Sequence, residues 1–251
     1  MRLEKHTGFV VYGFPLGEAD QIVSCFTSEG NLVKFIAKGS RKIKSRFAAS
    51  VQLFNLAEFV LYKSKGLPYL RQAAIIDSFA PVRRDWQKSG AAFAVAELCR
   101  LLIGEEAGEQ AVFRHVLAYM LHLRDRDYVP LTFDAFRWQL AAALGYGMQT
   151  ERCAICRQAA RSGCMDWSQG GLVCPRCRSR TGGVGVDVRH LALLRTLSRC
   201  SFAESDKLAV NGNLQRHCAR LVDDLIFWLT EGKTKAQAFR KLFEELRCRS
   251  E

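Results

Sequence analysis

Two short cysteine pairs are the residues of this sequence whose types and spacing most clearly predict chemistry. Cys153 and Cys156 form the first pair, and Cys174 and Cys177 form the second. A two-residue spacer lets one tight turn present two thiolates to the same ion, and two such turns complete the tetrahedron of soft ligands that zinc prefers. Because protein would occupy all four positions, none would remain for water or substrate. The pattern therefore predicts a structural Zn²⁺ site.

Other interpretations of the ten cysteines stay open. Disulfides are one, although we find no secretory signal, which favours a reducing compartment. A thioredoxin-type redox site is another, because Cys174-Pro-Arg-Cys177 has that form, but the surrounding βαβ pattern is missing. Cys164 lies between the pairs and could serve as a ligand, although we expect a spare thiol. Single cysteines are usually small apolar core residues, and five others fit this description: Cys25, Cys99, Cys200, Cys218 and Cys248.

A run of positive charge between the third and fourth predicted strands is the second candidate site. No acidic residue interrupts the chain from Asn31 to Asn55, and Phe35, Phe47 and Tyr62 are possible stacking platforms. Small five-stranded barrels bind single strands through a basic groove with aromatic rings beneath the bases. The alternatives are a plain solvated surface and core aromatics. The predicted nucleic-acid contacts are Lys34, Lys38, Arg41, Lys42, Lys44 and Arg46.

No arrangement of residues in the sequence predicts a catalytic centre. The five histidines are dispersed and form no His-x-x-x-His pair. The stretch from Gly39 to Ser45 has the look of a phosphate loop, but Ile43 stands where the second glycine should be. No pattern in the sequence identifies a nucleophile together with its base. We therefore expect a binding protein rather than an enzyme.

The first eighty residues have the composition of β-structure. Five runs of strand length are rich in Val, Ile, Phe and Tyr and are separated by Gly, Pro, Ser and Asn. The runs cover residues 9–12, 22–27, 32–37, 53–62 and 69–76. Five short strands indicate a small barrel, so we expect a nucleic-acid-binding barrel domain over residues 1–80.

From residue 81 onward, apolar residues recur at the spacing of amphipathic helices. Three helices are predicted between residues 93 and 144, and a second set between about 188 and 246. Thr234 and Gln237 have the form of a capping box for the last helix. Between the two sets, residues 147–185 are rich in Gly, Arg and Cys and show little helical period. We expect a helical domain over residues 81–251 with a zinc-ribbon insert at 147–185.

Composition and charge exclude several classes of protein. With 49% apolar and 25% charged residues, the 251-residue sequence is neither collagen-like nor intrinsically disordered. The longest uncharged stretch has 13 residues, 138–150, whereas a membrane-spanning helix needs about 20. The net charge of +12 favours a polyanionic partner, and residues 1–80 carry 11 basic against 6 acidic side chains.

Several N-terminal segments, together with the cysteine insert, form a combination that is typical of one family. The segments are Gly8, Glu18-Ala19-Asp20, Phe26-Thr27, Gly30, Ala37-Lys38-Gly39 and Lys44-Ser45-Arg46-Phe47, and Gly170-Gly171 stands ahead of the second cysteine pair. Over its whole length, the sequence resembles the RecO family of bacterial DNA repair proteins. The N-terminal run is the most specific part of the resemblance, and the C-terminal helices carry little family signal.

The resemblance implies an α+β protein: a five-stranded OB-fold barrel, then an α-helical domain carrying an inserted four-cysteine zinc ribbon. It also implies a recombination mediator of the RecF pathway that binds single- and double-stranded DNA and anneals complementary strands. The implied partners are RecR, the acidic C-terminal tail of single-strand-binding protein and, indirectly, RecA. The implied location is the cytoplasm, at the nucleoid and without a membrane partner. Five basic positions match the family and would contact phosphates: Lys38, Arg41, Lys42, Lys44 and Arg46.

Two other functions stay possible on the residues alone. One is a zinc-stabilised enzyme of nucleic-acid processing that uses the barrel to hold its substrate. The other is an RNA-binding zinc-ribbon factor, because a phosphate-directed cationic loop does not by itself distinguish DNA from RNA.

Overall fold

Five strands in the N-terminal part of the chain close into a barrel. The structure, a computed structural model, describes residues 3–63, 65–106, 108–178 and 182–234. The strands are β1 (Leu3–Leu16), β2 (Asp20–Thr27), β3 (Leu32–Ala37), β4 (Leu56–Tyr62) and β5 (Tyr69–Asp77). Their order around the barrel is β1-β2-β3-β5-β4, and the pairing of β1 with β4 closes it. This is the five-stranded arrangement of an OB-fold.

Alternating side chains of the strands fill the barrel, as the period of two in a β-strand requires. Phe35 and Phe59 lie at its centre, with ring centroids 5.1 Å apart. Strand β1 carries a bulge between Val10 and Tyr12, so Val10 points inward while the side chains beyond the bulge change faces. The remaining core residues are Val23, Cys25, Ala37, Phe47, Val51, Ala57, Leu61 and Leu70.

Three helices follow the barrel: α1 (Ala80–Arg84), α2 (Trp86–Leu102) and α3 (Gln110–Asp125). The carboxylate of Asp85 accepts hydrogen bonds from two backbone N–H groups in the first turn of α2, which caps that helix. Phe113 of α3 packs against Phe9 and Phe26 on the outside of the barrel, at centroid distances of 5.6 and 5.4 Å. Helix α3 therefore covers the outer surface of β1 and β2 around Phe9 and Phe26.

A close backbone approach ties the β2–β3 turn to the segment before α3. Gly30 has φ +88°, and a Cβ atom there would lie 2.5 Å from the backbone of Glu109. Opposite it, a Cβ on Gly108 would lie 1.9 Å from the carbonyl oxygen of Gly30. Only glycine allows this contact on both sides, because any side chain would overlap the facing backbone.

The second half of the chain combines helices with a small sheet. Its elements are α4 (Pro130–Ala143), β6 (Gly163–Asp166), β7 (Gly171–Val173), β8 (Val184–Val186), α5 (Val188–Arg199), α6 (Phe202–Ser205) and α7 (Gly212–Leu229). The three strands form one sheet in the order β7-β6-β8. The chain divides into two compact units, Met1–Arg126 and Asp127–Glu251. The predicted domain limits at residues 80 and 147–185 stay a prediction.

A buried ion-pair network crosses the helices of the second unit. Arg137 of α4 is almost fully buried and donates hydrogen bonds to Asp134 and, at 2.6 Å, to Asp223 of α7. Its guanidinium also lies over the ring of Phe133, 4.6 Å from the centroid. The carboxylates hold the pKa of Arg137 above its usual value although burial alone would lower it. The network joins α4 to α7 because the guanidinium of Arg137 pairs with one carboxylate on each helix.

The predicted α+β fold, with an OB barrel followed by helices and a four-cysteine segment, is confirmed. Strand β1 is longer than predicted because its polar N-terminal residues pair with β4, as in the 3.0 Å contact of Lys5 with Glu58. Strand β4 begins later than predicted, at Leu56, because Phe54 has φ +72° and interrupts the extended backbone. The last predicted helix and its capping residue Gln237 lie outside the described residues.

Among the helices of the described ranges, none is both long enough and apolar enough to cross a membrane.

Replacing Arg137 with Met should lower the free energy of unfolding by about 3–5 kcal/mol, because it removes the buried positive charge that two carboxylates share. Urea denaturation monitored by circular dichroism measures the change. The matched control is Arg199→Met, which breaks the exposed pair with Glu151 and should cost about 1 kcal/mol or less. Equal losses in the two variants would contradict the role assigned to the network.

Candidate metal centre and nucleic-acid interface

The four paired cysteines meet at one point in the second unit. The Sγ atoms of Cys153, Cys156, Cys174 and Cys177 all lie within 4.8 Å of one another. Between Cys156 and Cys174 the sulfur–sulfur distance is 3.8 Å. A zinc–sulfur bond of about 2.3 Å gives a tetrahedron with an edge of about 3.8 Å. The donor set and its spacing therefore fit a tetrahedral, four-thiolate metal site.

Two tight turns present these thiols. In the first, the backbone N–H of Arg157 donates to the carbonyl oxygen of Cys153 at 2.9 Å. The second turn closes with a 3.0 Å hydrogen bond from the N–H of Cys177 to the carbonyl oxygen of Cys174. Gly171 lets strand β7 approach the first turn, since a Cβ there would lie 2.3 Å from the backbone oxygen of Gln149. The sheet thus places the two turns face to face.

The thiols of the cluster titrate in opposite directions. Burial opposes ionisation of Cys153, but N–H groups of Cys174, Cys156 and Ile155 donate to its sulfur and lower its pKa to about 6. Burial and the three neighbouring thiols raise the pKa of Cys177 to about 12. Thiolates placed this close together repel one another, and a divalent cation among them would remove that repulsion.

The other described cysteines are not among the four clustered thiols. Cys164 is buried in the same small sheet and packs with Cys153 and Cys174, and its sulfur lies 3.9 Å from the carbonyl oxygen of Val173. Burial raises the pKa of Cys25, and it raises those of Cys99 and Cys218 to about 12. These thiols therefore stay protonated and apolar in character. Cys248 lies outside the described residues.

The basic loop, residues 38–46, is anchored on the barrel at both ends. The carboxylate of Asp20 accepts a 2.8 Å hydrogen bond from the backbone N–H of Gly39. At the other end, the side chain of Phe47 enters the barrel core. Between these anchors, Lys42, Ile43 and Lys44 are exposed, and Ile43 is fully so. The loop is therefore a fixed projection whose tip carries two cations around an apolar side chain.

The predicted basic residues are all exposed but differ in their partners. Arg41 donates to the carbonyl oxygens of Gly17 and Glu18 at 2.9 and 3.2 Å, so it holds the β1–β2 turn against the loop. Lys34 pairs with Glu105 at 2.6 Å. Two further basic residues contact aromatic rings: Lys38 lies over Tyr69, and Arg46 lies over Phe47. Lys42 and Lys44 have no ion-pair partner in the described part of the chain.

Two of the three aromatic residues considered as possible stacking platforms are not at the surface. Phe35 and Phe47 are buried in the barrel core and cannot meet a base. The alternative that these aromatic residues belong to the core is therefore correct for both. Tyr62 is half-buried, with Arg71 5.0 Å from its ring centroid. Exposed aromatic residues that the sequence did not single out lie instead on β1, at Tyr12 and Phe14.

Two family models match the chain almost from end to end. The description "Recombination protein O N terminal" matches residues 1–79, and "Recombination protein O C terminal" matches residues 83–238. The chain belongs to the recombination protein O (RecO) family. Membership supports a role as a recombination mediator in DNA repair, which is not a known class of enzyme.

Curated relatives cover most of the chain and carry the name DNA repair protein RecO. The relative from Dehalococcoides mccartyi (strain CBDB1) is 28% identical over 234 residues, which cover 92% of each chain. One from Roseiflexus sp. (strain RS-1) is 30% identical, covering 85% of this chain and 74% of its own. One from Frankia casuarinae is 31% identical, covering 79% and 83%. Both halves of the RecO architecture are therefore present.

Cys156→Ser should lower the metal content of this RecO protein and its thermal stability, because a tetrahedral four-thiolate site loses one ligand. Elemental analysis of the purified protein and a thermal melt measure the two effects. Cys164→Ala is the matched control, since it removes a buried thiol of the same sheet that lies outside the cluster. A metal-to-protein ratio that is unchanged in Cys156→Ser, or lowered equally in Cys164→Ala, would contradict the site.

Proposed function

We propose that this protein binds the phosphate backbone of single- and double-stranded DNA through its basic loop and anneals complementary strands during recombinational repair. The exposed, anchored tip with Lys42 and Lys44 carries this proposal. Lys38, Arg41 and Arg46 add positive potential along the loop, and Lys34 adds it on the neighbouring strand. Phosphates are the groups that such a fixed cationic projection attracts without reading sequence.

Annealing requires that two strands come close while their bases stay free to pair. Cations directed at phosphates reduce the repulsion between strands without occupying the Watson–Crick edges. The basic loop suits this task because it is held by Asp20 and Phe47, so its tip does not need to order when DNA binds. No nucleotide hydrolysis is needed for a reaction that pairing itself drives.

The proposed partners follow from membership of the family. The protein would act with RecR, contact the acidic C-terminal tail of single-strand-binding protein and assist the loading of RecA on coated DNA. It would work in the cytoplasm, associated with the nucleoid.

One cavity in the described part of the second unit does not suit the acidic tail. Its volume is about 710 Å³, and its lining in the second unit includes the aromatic residues Phe227 and Trp228. Three carboxylates, those of Asp166, Asp224 and Glu231, also lie in the lining and would repel an acidic peptide. We therefore do not assign the tail to this cavity.

For the cysteine cluster we propose a structural Zn²⁺ ion bound by Cys153, Cys156, Cys174 and Cys177. All four positions of the tetrahedron would be taken by protein, which leaves no open position for catalysis. When bound, the ion supplies folding free energy to a ribbon whose sheet has only three short strands. This assignment is independent of the DNA-binding loop and is tested by metal content.

Lys42→Ala/Lys44→Ala should weaken binding to single-stranded DNA and flatten its salt dependence. Each lost phosphate contact changes the slope of log affinity against log salt by about 0.7, so we expect a change of about 1.4. Fluorescence anisotropy with a labelled oligothymidylate over a range of salt concentrations measures the slope. Lys207→Ala/Lys233→Ala removes the same charge from the second unit and should leave the slope unchanged. An unchanged slope in the loop variant would place the DNA site elsewhere.

The mediator activity is tested by annealing of complementary strands coated with single-strand-binding protein, in the absence of nucleotide. The wild-type protein should accelerate annealing, and Lys42→Ala/Lys44→Ala should lose most of the acceleration. Competition with RNA of the same length separates a DNA mediator from an RNA-binding factor. Cleavage or other turnover of the DNA by the pure protein would favour the enzyme alternative and contradict the proposal.

A further inference from the structure

The outer face of strands β1, β2 and β3 carries a row of aromatic and aliphatic side chains beside the basic loop, exposed on β1 and half-buried on β2 and β3. Tyr12 and Phe14 of β1 are 42% and 55% exposed. Phe14 pairs in register with Ile22 of β2, and Ile22 with Ile36 of β3. Side chains at paired positions lie on the same face of a sheet. These residues form what we call the aromatic row: Tyr12, Phe14, Ile22 and Ile36.

The helices that cover the neighbouring row stop short of this one. Phe9 and Phe26 are paired positions of β1 and β2, and both lie beneath Phe113 of α3. Beyond the bulge, Tyr12 contacts Arg100 of α2, whose guanidinium lies 5.3 Å from the ring centroid. Phe14 lies two residues after Tyr12, nearer to the β1–β2 turn. The apolar surface around Phe14 faces solvent, where it does not stabilise the fold.

Positive charge surrounds the aromatic row on several sides. Arg100 lies at one end, and Lys38 lies over the ring of Tyr69, which pairs in register with Ile36. Lys34 of β3 is in register with Ser24 of β2, which is in register with Tyr12, and Lys34 is partly neutralised by Glu105. The basic loop begins where β3 ends, and Arg41 holds it against the β1–β2 turn. An aromatic surface bounded by cations matches the two faces of a nucleotide, an apolar base and an anionic phosphate.

We propose that Tyr12 and Phe14 stack on unpaired bases of single-stranded DNA whose phosphates lie along the basic loop. This inference rests on the proposed DNA-binding function and adds a base-contacting site to its phosphate-contacting one.

The spacing of the two rings supports bases as the occupant. Residues two apart on a strand are separated by about 6.8 Å. That is twice the spacing of about 3.4 Å between successive nucleotides of a helical strand, so one base fits between the rings or stacks on each. Bases in a duplex are already stacked and expose no face, so the site distinguishes single strands from double strands.

The experiment compares an oligothymidylate with an abasic oligonucleotide of equal length, which carries the same number of phosphates but no bases. Wild-type protein should bind the oligothymidylate about 5- to 150-fold more tightly, the effect of one stacked base. Tyr12→Ala/Phe14→Ala should lose this preference while its affinity for the abasic strand and for duplex DNA stays the same. The salt slope should also stay that of the wild type, because no phosphate contact is removed.

Two controls separate stacking from loss of structure. Phe227→Ala removes an aromatic side chain of similar exposure, 46%, from the second unit and should keep the preference. Tyr12→Phe/Phe14→Tyr keeps both rings and should also keep it. Circular dichroism melts of all variants exclude unfolding, which we do not expect because both side chains are largely at the surface.

Each outcome decides one part of the inference. Wild-type protein that binds neither oligonucleotide would overturn the proposed function and the stacking site together. Equal wild-type affinity for the two oligonucleotides would overturn stacking alone and leave the phosphate-binding loop in place. If Tyr12→Ala/Phe14→Ala keeps the preference but abolishes self-association in sedimentation velocity, the row belongs to an interface with a second copy, and the inference is wrong.

Discussion

One extra residue in strand β1 determines which side chains the barrel exposes. Val10 and Val23 point into the core, and without the bulge at Val11 strict alternation would send Tyr12 inward as well. Because two residues of β1 oppose one position of β2 there, Tyr12 and Phe14 emerge on the outer face, and Gly13 faces inward opposite Val23. A glycine at this position leaves room for the side chain of Gln21, whose Nε2 would lie 2.0 Å from a Cβ atom. The proposed base-binding face depends on this local irregularity.

The basic loop depends on the same end of the barrel. Strands β1 and β2 turn back at Gly17 and Glu18, whose carbonyl oxygens accept the hydrogen bonds of Arg41. Asp20, the first residue of β2 after this turn, fixes the start of the loop through Gly39. These contacts use backbone groups, the Asp20 carboxylate and the Arg41 guanidinium, so they leave the lysines of the tip available. Arg41 therefore both positions the loop and adds to its positive charge, whereas Lys42 and Lys44 take no part in positioning it.

The sequence predicted best those features that rest on short-range spacing. The turns that present Cys153 and Cys174 to a common centre need only local geometry, and the four-cysteine cluster was correctly expected from it. Strand β3 was located at its observed limits, but the sequence left open whether Phe35 of this strand and Phe47 of the following loop lie at the surface or in the core. The side of the sheet on which a side chain lies depends on barrel closure and on the bulge, and both depend on strands that are distant in sequence. The network around Arg137 was also missed, because it joins residues separated by 86 positions.

Stacking and annealing are compatible because their free energies are similar. A base stacked on an aromatic side chain gains about 1–3 kcal/mol. A base pair that adds to a duplex gains about 1.4 kcal/mol in stacking, in addition to its hydrogen bonds. A base held on Tyr12 or Phe14 can therefore be released to a complementary strand at little net cost. The phosphate contacts of the basic loop need not break during this exchange, since the phosphates of the strand persist in the duplex. A protein with both sites would hold a single strand open and give up its bases one at a time as pairing proceeds.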